Sequence, residues 1–150
     1  MSAREQTLEH IFRVRELLNA VRCEIMQREA DHDASKMLSP EVETFDIYTE
    51  KLKDCTYGSD EYKQYLAEMK PALDHHYEHN RHHPEWHSQG IDSMNLIDIM
   101  EMLADWKAAG ERHANGSIAR SLEVNKERFG LSDQLVKILA NTVEYMGWGG

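Results

Sequence analysis

The stretch SMNLIDIMEMLADWKAAG, residues 93–110, decides the fold class of this chain. Its apolar side chains recur at steps of three and four residues, and Gly110 stands where the pattern stops. Apolar residues at that period predict an α-helix with one buried face, and glycine commonly ends such a helix. Ser93 is suited to cap the start, because its hydroxyl can accept a backbone N–H of the first turn. We therefore predict a helix from Met94 to about Ala109.

The same helical period recurs on both sides of this stretch. The predicted helices cover residues 7–28, 41–52, 118–129 and 132–143, together with a stretch from Asp60 that Pro71 interrupts or restarts. No segment shows the alternating pattern of a half-buried strand. We therefore predict an all-α fold, with residues 1–150 forming a single compact bundle of about six helices.

The net charge of the chain limits the kinds of molecule that it is expected to bind. The chain has 27 acidic and 17 basic residues, which gives a net charge of −10. A field of that sign repels phosphate backbones, which argues against general nucleic-acid binding. A small phosphorylated ligand remains compatible with it, because a bound metal ion can outweigh the global charge locally.

Cysteine use and hydropathy indicate the compartment. Cys23 and Cys55 form no Cys-x-x-Cys pair, so no disulfide framework is indicated. No apolar run approaches the roughly 18 residues that a bilayer-spanning helix needs. The N-terminus lacks the apolar core of a signal peptide. These features predict a cytoplasmic protein without a membrane partner, and they leave open whether it forms a homo-oligomer.

Histidines are concentrated in one segment. Six of the nine lie between His75 and His87. His76, His79 and His83 follow helical spacing, so one face could present several imidazoles to a metal ion. The alternative is an exposed cluster with adventitious affinity for nickel or zinc, and composition does not decide between the two.

Two segments nearer the N-terminus also contain residues that could bind a metal ion. His10 lies at the edge of the apolar stripe of the first helix, where we expect a buried face. His32 and Asp33 are adjacent, at the end of that helix. Taken separately, such a histidine is more often a satisfied core residue than a ligand, and such a pair at a helix boundary is usually a solvated cap.

A third piece lies in the helix that decides the fold. Asp98, Glu101 and Asp105 are spaced by three and four residues, which places them on one face. They could be ligands, or simply the solvent-facing stripe of an otherwise apolar helix.

In chain order these pieces read H…HD…D, a pattern that resembles the HD-domain superfamily of metal-dependent phosphohydrolases. The resemblance implies that His10, His32, Asp33 and a late aspartate, for which we choose Asp105, bind one metal ion. Neutral imidazoles and carboxylates suit such an ion and leave positions for water and substrate. We expect one or two divalent ions drawn from Mn, Fe, Co, Ni, Zn and Mg.

Longer strings resemble an uncharacterised HD-like family of bacterial and viral proteins. The strings are HDxSKxxSPE at 32–41, HxxxNRHHPEW at 76–86, EMLxDWxA at 101–108, NxxRF at 125–129 and NT at 141–142. They cover nearly the whole chain and imply an HD-domain-like helical bundle. In relatives with two metals, histidines between the HD pair and the last aspartate bind the second ion. By that analogy His76 and His82 or His83 are candidates.

The resemblance also suggests which residues act on a substrate. Asp33 would hold the ion, which lowers the pKa of a coordinated water and polarises a phosphoryl oxygen. Lys36 and Arg81 are the best-placed cations for the remaining phosphate charge, with Lys107 and Arg128 in reserve. Glu85 or Glu101 could serve as general acid or base.

The leading hypothesis is therefore a phosphohydrolase that acts on a small phosphate ester, with a nucleotide as the first choice. One alternative is a di-iron oxygenase, as found among HD-domain relatives of myo-inositol oxygenase. Another is a non-enzymatic helical module whose histidines store or sense metal or protons.

Overall fold

The fold is all-α, as a computed structural model shows for residues 1–53, 59–112 and 116–149. Within these residues there is no strand, and six α-helices are formed. They are α1 (Ala3–Asp31), α2 (Glu41–Lys53), α3 (Asp60–His79), α4 (Leu96–Glu111), α5 (Ile118–Phe129) and α6 (Asp133–Tyr145). Short 3-10 turns occupy Ala34–Met37, Pro84–Trp86 and Gly90–Ser93. The prediction of an all-α fold with about six helices is confirmed.

The chain divides into two units, Met1–His32 and Asp33–Gly150. The first is the single helix α1, whose start is closed by a capping box between Ser2 and Glu5. None of its residues is buried, and Phe12 is 55% exposed. The expectation that its apolar face is buried is therefore wrong, because a single helix has no second element within its unit to cover that face. That residues 1–150 form one domain stays a prediction.

The core of the second unit lies among α4, α5 and α6. Its buried members are Leu103, Ile118, Leu122, Leu131, Leu139 and Val143. Removing these apolar side chains from water is the main force that holds the three helices together. Gly130 ends α5 in the left-handed region, at φ 66°, where a side chain would be strained. Ser132 then caps α6 by accepting the N–H of Leu135.

Helix α3 packs against α2 and continues through Pro71 without a break. The prediction that Pro71 interrupts or restarts this helix is wrong. Met69 and Ala72, on either side of the proline, are both buried, and their packing offsets the lost backbone hydrogen bond. The helix ends at His79, where Asn80 takes an extended conformation.

The predicted start of the fold-deciding helix is shifted by two residues. Asn95, not Ser93, caps α4, because its side chain accepts the N–H groups of Ile97 and Asp98. Ser93 belongs to the preceding 3-10 turn. The helix also extends one residue beyond Gly110, because glycine is tolerated inside a helix.

Some sequence predictions fall outside the described residues. Cys55 and most of the turn predicted after α2 lie in the gap at 54–58, and part of the connection before α5 lies in the gap at 113–115. Among the helices that are described, none has both the length and the hydropathy needed to cross a bilayer.

Candidate metal centre

Four side chains of the second unit bring potential ligand atoms together. They belong to Asp33, His76, His82 and His83, and one ligand atom from each lies within 4.8 Å of all the others. His76 Nε2 is 3.3 Å from Asp33 Oδ1 and 2.9 Å from His83 Nε2. His82 Nε2 is 3.6 Å from the same Asp33 oxygen. We call these four residues the metal cluster.

Local backbone structure explains how three segments reach one point. Asp33 takes a left-handed conformation, φ 55°, directly before the first 3-10 turn. After α3 the chain turns sharply, and the His83 N–H donates to the Asn80 carbonyl at 3.1 Å. Pro84 keeps His83 in extended backbone, because the α region is disfavoured before proline. His82 and His83 are thereby brought back beside His76 on α3.

The orientation of the His76 ring follows from its hydrogen bonds. Its Nδ1 lies 2.8 Å from Glu41 Oε2. Asn80 Nδ2 is also near, but its two hydrogens are donated to the His76 carbonyl at 2.8 Å and to Ser35 Oγ at 2.7 Å. We therefore assign the Nδ1 proton to the Glu41 bond. In the neutral ring the lone pair is then on Nε2, which faces the cluster.

His82 has the same kind of partner. Its Nδ1 lies 3.1 Å from Glu101 Oε1, so the neutral ring carries its lone pair on Nε2, toward Asp33. A carboxylate behind a histidine is a common arrangement in metal sites, because it holds the ring and raises its basicity. Glu101, predicted to be catalytic, is placed behind a histidine of the cluster.

Glu41 is the main residue that sequence reasoning missed. It is fully buried, and its Oε1 also accepts from His75 Nδ1 at 2.7 Å. Burial acts to raise the pKa of Glu41, but the hydrogen bonds from His75, Ser35 and His76 outweigh it and leave the pKa lowered. Glu41 is the last residue of the string HDxSKxxSPE, in which the sequence-based prediction names only His32, Asp33 and Lys36 as site residues. That string was the available signal.

Two histidines of the cluster, His83 and His76, have lowered pKa values and are held neutral. Burial, reinforced by the nearby rings of His82 and His76, lowers the pKa of His83 to about 3. Burial and then the ammonium group of Lys36 lower the pKa of His76. A neutral imidazole keeps the lone pair with which it could bind a cation.

Asp33 divides its two oxygens between different partners. Oδ1 faces the imidazoles, whereas Oδ2 accepts from Lys36 Nζ at 2.6 Å. Lys36, predicted to hold substrate phosphate, therefore lies beside a cluster residue. Its role toward a substrate stays a prediction.

Arg81 lies outside the cluster. Its Nε and Nη2 donate to the two oxygens of Asp98, at 2.7 and 2.9 Å. Asp98 is fully buried and also accepts the Asn95 N–H at 3.1 Å. The guanidinium carbon lies 4.9 Å from the ring centre of Trp86. These contacts account for Arg81 as a structural residue, and its predicted contact with substrate stays a prediction.

The remaining predicted ligands are placed as follows. Asp105 on α4 offers a carboxylate oxygen within 4.8 Å of a His82 ring nitrogen, which makes it a second acidic candidate near the cluster. His32 closes the first unit, directly before Asp33 in the chain, and His10 is exposed on α1. The contribution of these two histidines to a metal site stays a prediction.

A cavity of about 220 Å³ adjoins the cluster. His83 and Asp105 line it on one side, and Asn125 and Arg128 line it from α5. The NxxRF string of the sequence therefore faces the same region as the histidine-rich string.

Fold and site together define an all-helical protein with a His/Asp cluster that could hold a metal ion. Residues 1–145 match a family model whose description reads "Family of unknown function (DUF5662)", and the chain belongs to that family. No curated protein and no solved structure matches the chain. Membership spans nearly the whole sequence, and it assigns no activity.

Proposed function

We propose that the metal cluster binds a divalent metal ion and that the protein is a metal-dependent hydrolase of a small phosphate ester, with nucleotides as the first substrates to test. The observation that carries the proposal is the convergence of one carboxylate and three imidazoles in the second unit. Two of these imidazoles have a carboxylate hydrogen-bonded behind them.

The donor set fits a divalent transition metal. Asp33 would supply one carboxylate oxygen. His76, His82 and His83 would each supply the lone pair of one ring nitrogen. Imidazole and carboxylate together suit Zn, Mn, Fe, Co and Ni. Glu41 and Glu101 would hold the rings of His76 and His82 in orientation. Loss of such a partner commonly weakens metal binding about 10–100-fold. Asp105 is the candidate for a further ligand or for a second ion.

A bound ion would supply a Lewis acid and would lower the pKa of a coordinated water. The protein's own groups would arrange the surroundings of that water. Asp33 holds the Lys36 ammonium group at 2.6 Å, so a positive charge stands directly beside the cluster. The phosphate-ester substrate rests on the likeness of H…HD…D and its flanking strings to HD-domain phosphohydrolases. A chain of net charge −10 would need local cations of this kind to accept an anionic substrate.

Metal binding is tested first, by calorimetry on metal-free protein with Zn²⁺, Mn²⁺, Co²⁺ and Ni²⁺. We expect Asp33→Asn and His82→Ala each to weaken binding at least about 100-fold, since each removes a direct ligand. Asp46→Asn is the matched control, because Asp46 is an exposed carboxylate of α2. Unchanged affinity in both cluster variants would rule out the centre.

Turnover is tested with a panel of nucleoside mono-, di- and triphosphates and simple phosphomonoesters. We expect release of phosphate or pyrophosphate that depends on added metal and is lost in Asp33→Ala while the circular dichroism spectrum is unchanged. Robust turnover by Asp33→Ala would overturn the proposed chemistry.

The three clustered imidazoles also favour one alternative, a di-iron oxygenase, because imidazole-rich sites bind iron well. Protein loaded with Fe²⁺ would then contain two irons per chain and consume oxygen. Metal binding with neither hydrolysis nor oxygen uptake would instead identify a non-enzymatic metal-binding module.

A further inference from the structure

The cavity beside the metal cluster has a wall that the proposed chemistry does not use. Ser121, Asn125 and Arg128 line it from α5, and Tyr77 lines it from α3. These side chains offer a hydroxyl, an amide, a guanidinium and a phenol. Asp105 is the one carboxylate among the described residues that line the cavity. The cavity therefore offers several hydrogen-bond donors and a single carboxylate beside His83 of the cluster.

Arg128 is better placed to meet an anion than Arg81. Arg81 is engaged by both oxygens of a fully buried carboxylate, and such a pair is costly to break. Arg128 makes a single Nη2 contact with Glu85 Oε1 at 2.9 Å, and the two side chains are 55% and 30% exposed. An exposed pair of that kind contributes little, so an incoming anion can replace Glu85.

The position of the Arg128 guanidinium is stabilised independently of Glu85. Its central carbon lies 4.6 Å from the ring centre of Phe129, in cation–π contact, and Phe129 also lines the cavity. A guanidinium presents a rigid fork of donors that matches two phosphate oxygens. Asn125 lies one helical turn before Phe129 and could donate to a third oxygen.

We propose that this cavity binds the phosphate group of the substrate, with Arg128 as its cation and Asn125 as a neutral donor. The inference rests on the proposed function, because it takes the substrate to be a phosphate ester. It replaces Arg81, the sequence-based choice, with a residue of the NxxRF string. Arg128 lies on the same cavity as His83 of the cluster, so a phosphate held there would be adjacent to the metal.

The position of the cavity beside the cluster also predicts that metal binding and phosphate binding strengthen each other. The Asp105 carboxylate repels an anion in the metal-free protein. A cation bound at the cluster would offset that charge, because His83 and Asp105 both border the cavity. Metal should therefore tighten phosphate binding, and by thermodynamic linkage phosphate should tighten metal binding by the same factor.

The test is calorimetric titration of the full chain with inorganic phosphate, metal-free and loaded with Mn²⁺. We expect Arg128→Ala to weaken phosphate binding at least about 10-fold, with partial recovery in Arg128→Lys, which keeps the charge but not the fork. Arg120→Ala is the matched control, since Arg120 is an exposed arginine of the same helix outside the cavity lining. Glu85→Gln should instead tighten binding several-fold by releasing Arg128, an effect in the direction opposite to structural damage.

The outcomes separate this inference from the proposed function. Unchanged phosphate affinity in both Arg128→Ala and Glu85→Gln overturns the cavity assignment, even if metal-dependent hydrolysis is observed. Phosphate binding that requires Arg128, in a protein that hydrolyses no phosphate ester with any metal, supports the cavity and overturns the hydrolase. If hydrolysis occurs, a rise in KM in Arg128→Ala with the Arg120→Ala value unchanged is the corresponding kinetic result.

Discussion

Glu41 accepts hydrogen bonds from two adjacent histidines, one at each carboxylate oxygen. His76 belongs to the metal cluster and is buried, whereas His75 lies next to it and is half-buried. One fully buried carboxylate thus holds two neighbouring rings at the end of α3. A residue with no ligand role of its own can in this way decide whether a ligand is correctly oriented.

We predict that Glu41→Gln weakens metal binding about 10–100-fold and lowers the free energy of unfolding by about 1–3 kcal/mol. The amide keeps the shape but loses the charge, and its NH₂ group cannot accept a hydrogen bond, so one of the two rings loses its acceptor. Metal titration and urea denaturation measure the two effects. Glu43→Gln, at an exposed position of the same helix, should leave both unchanged. Equal metal affinity for the wild type and Glu41→Gln would contradict the orienting role.

At the scale of elements, an ion pair between Arg81 and a fully buried carboxylate joins the turn after α3 to the start of α4. Arg81 supplies two N–H groups, and Asp98 accepts them while also accepting the Asn95 N–H at the helix cap. Asp98 is therefore part of the capping box of α4 and the partner of the turn that carries His82. The pair fixes that turn relative to the helix that carries Glu101.

We predict that Arg81→Met lowers the free energy of unfolding by at least about 2 kcal/mol, because it leaves the buried Asp98 charge without its main partner. This loss of stability is smaller than the loss expected for an ion pair with both side chains buried, since the Arg81 side chain is 40% exposed. A double-mutant cycle with Asp98→Asn in urea measures the coupling. Additive losses would show that the pair contributes nothing. Phosphate affinity should be unchanged in Arg81→Met, in contrast to Arg128→Ala.

At the scale of the whole molecule, the neutral histidine of the cluster makes stability depend on pH. The pKa of His83 is lowered to about 3 in the folded chain, against about 6.5 for an unperturbed histidine. Between these values the unfolded chain binds a proton that the folded chain does not. The free energy of unfolding therefore falls as pH decreases from about 6.5 toward 3, and this group has no effect above that window.

We predict that metal-free wild type loses more stability between pH 7 and pH 5 than His83→Gln does, since glutamine does not titrate. Urea denaturation at the two pH values measures the difference. Equal losses in the two proteins would show that His83 is not held neutral by the fold. Added metal should raise the free energy of unfolding more at pH 7 than at acid pH, because protons compete for the same lone pairs.

Much of the fold could be predicted because its signals are local. Apolar spacing, capping residues and glycines indicate all six α-helices that the described residues form. The predictions at Ser93 and Pro71 are wrong because a neighbouring cap or packing outweighs a single residue's preference. The apolar stripe of α1 correctly predicts a helix but not the burial of that face, because an amphipathic pattern does not specify which element covers it.

The sequence by itself determined the all-helical fold and the kinds of side chain available for a metal site, including Asp33, His82 and His83. Only the tertiary structure decided that Asp33, His76, His82 and His83 face one point, that Glu41 and Glu101 lie behind two of the rings, and that Arg128 rather than Arg81 borders the cavity. The physical reason is one of range. Helical period and ligand chemistry are properties of a few consecutive residues, whereas the meeting of residues 33, 76 and 101 depends on how separate helices pack.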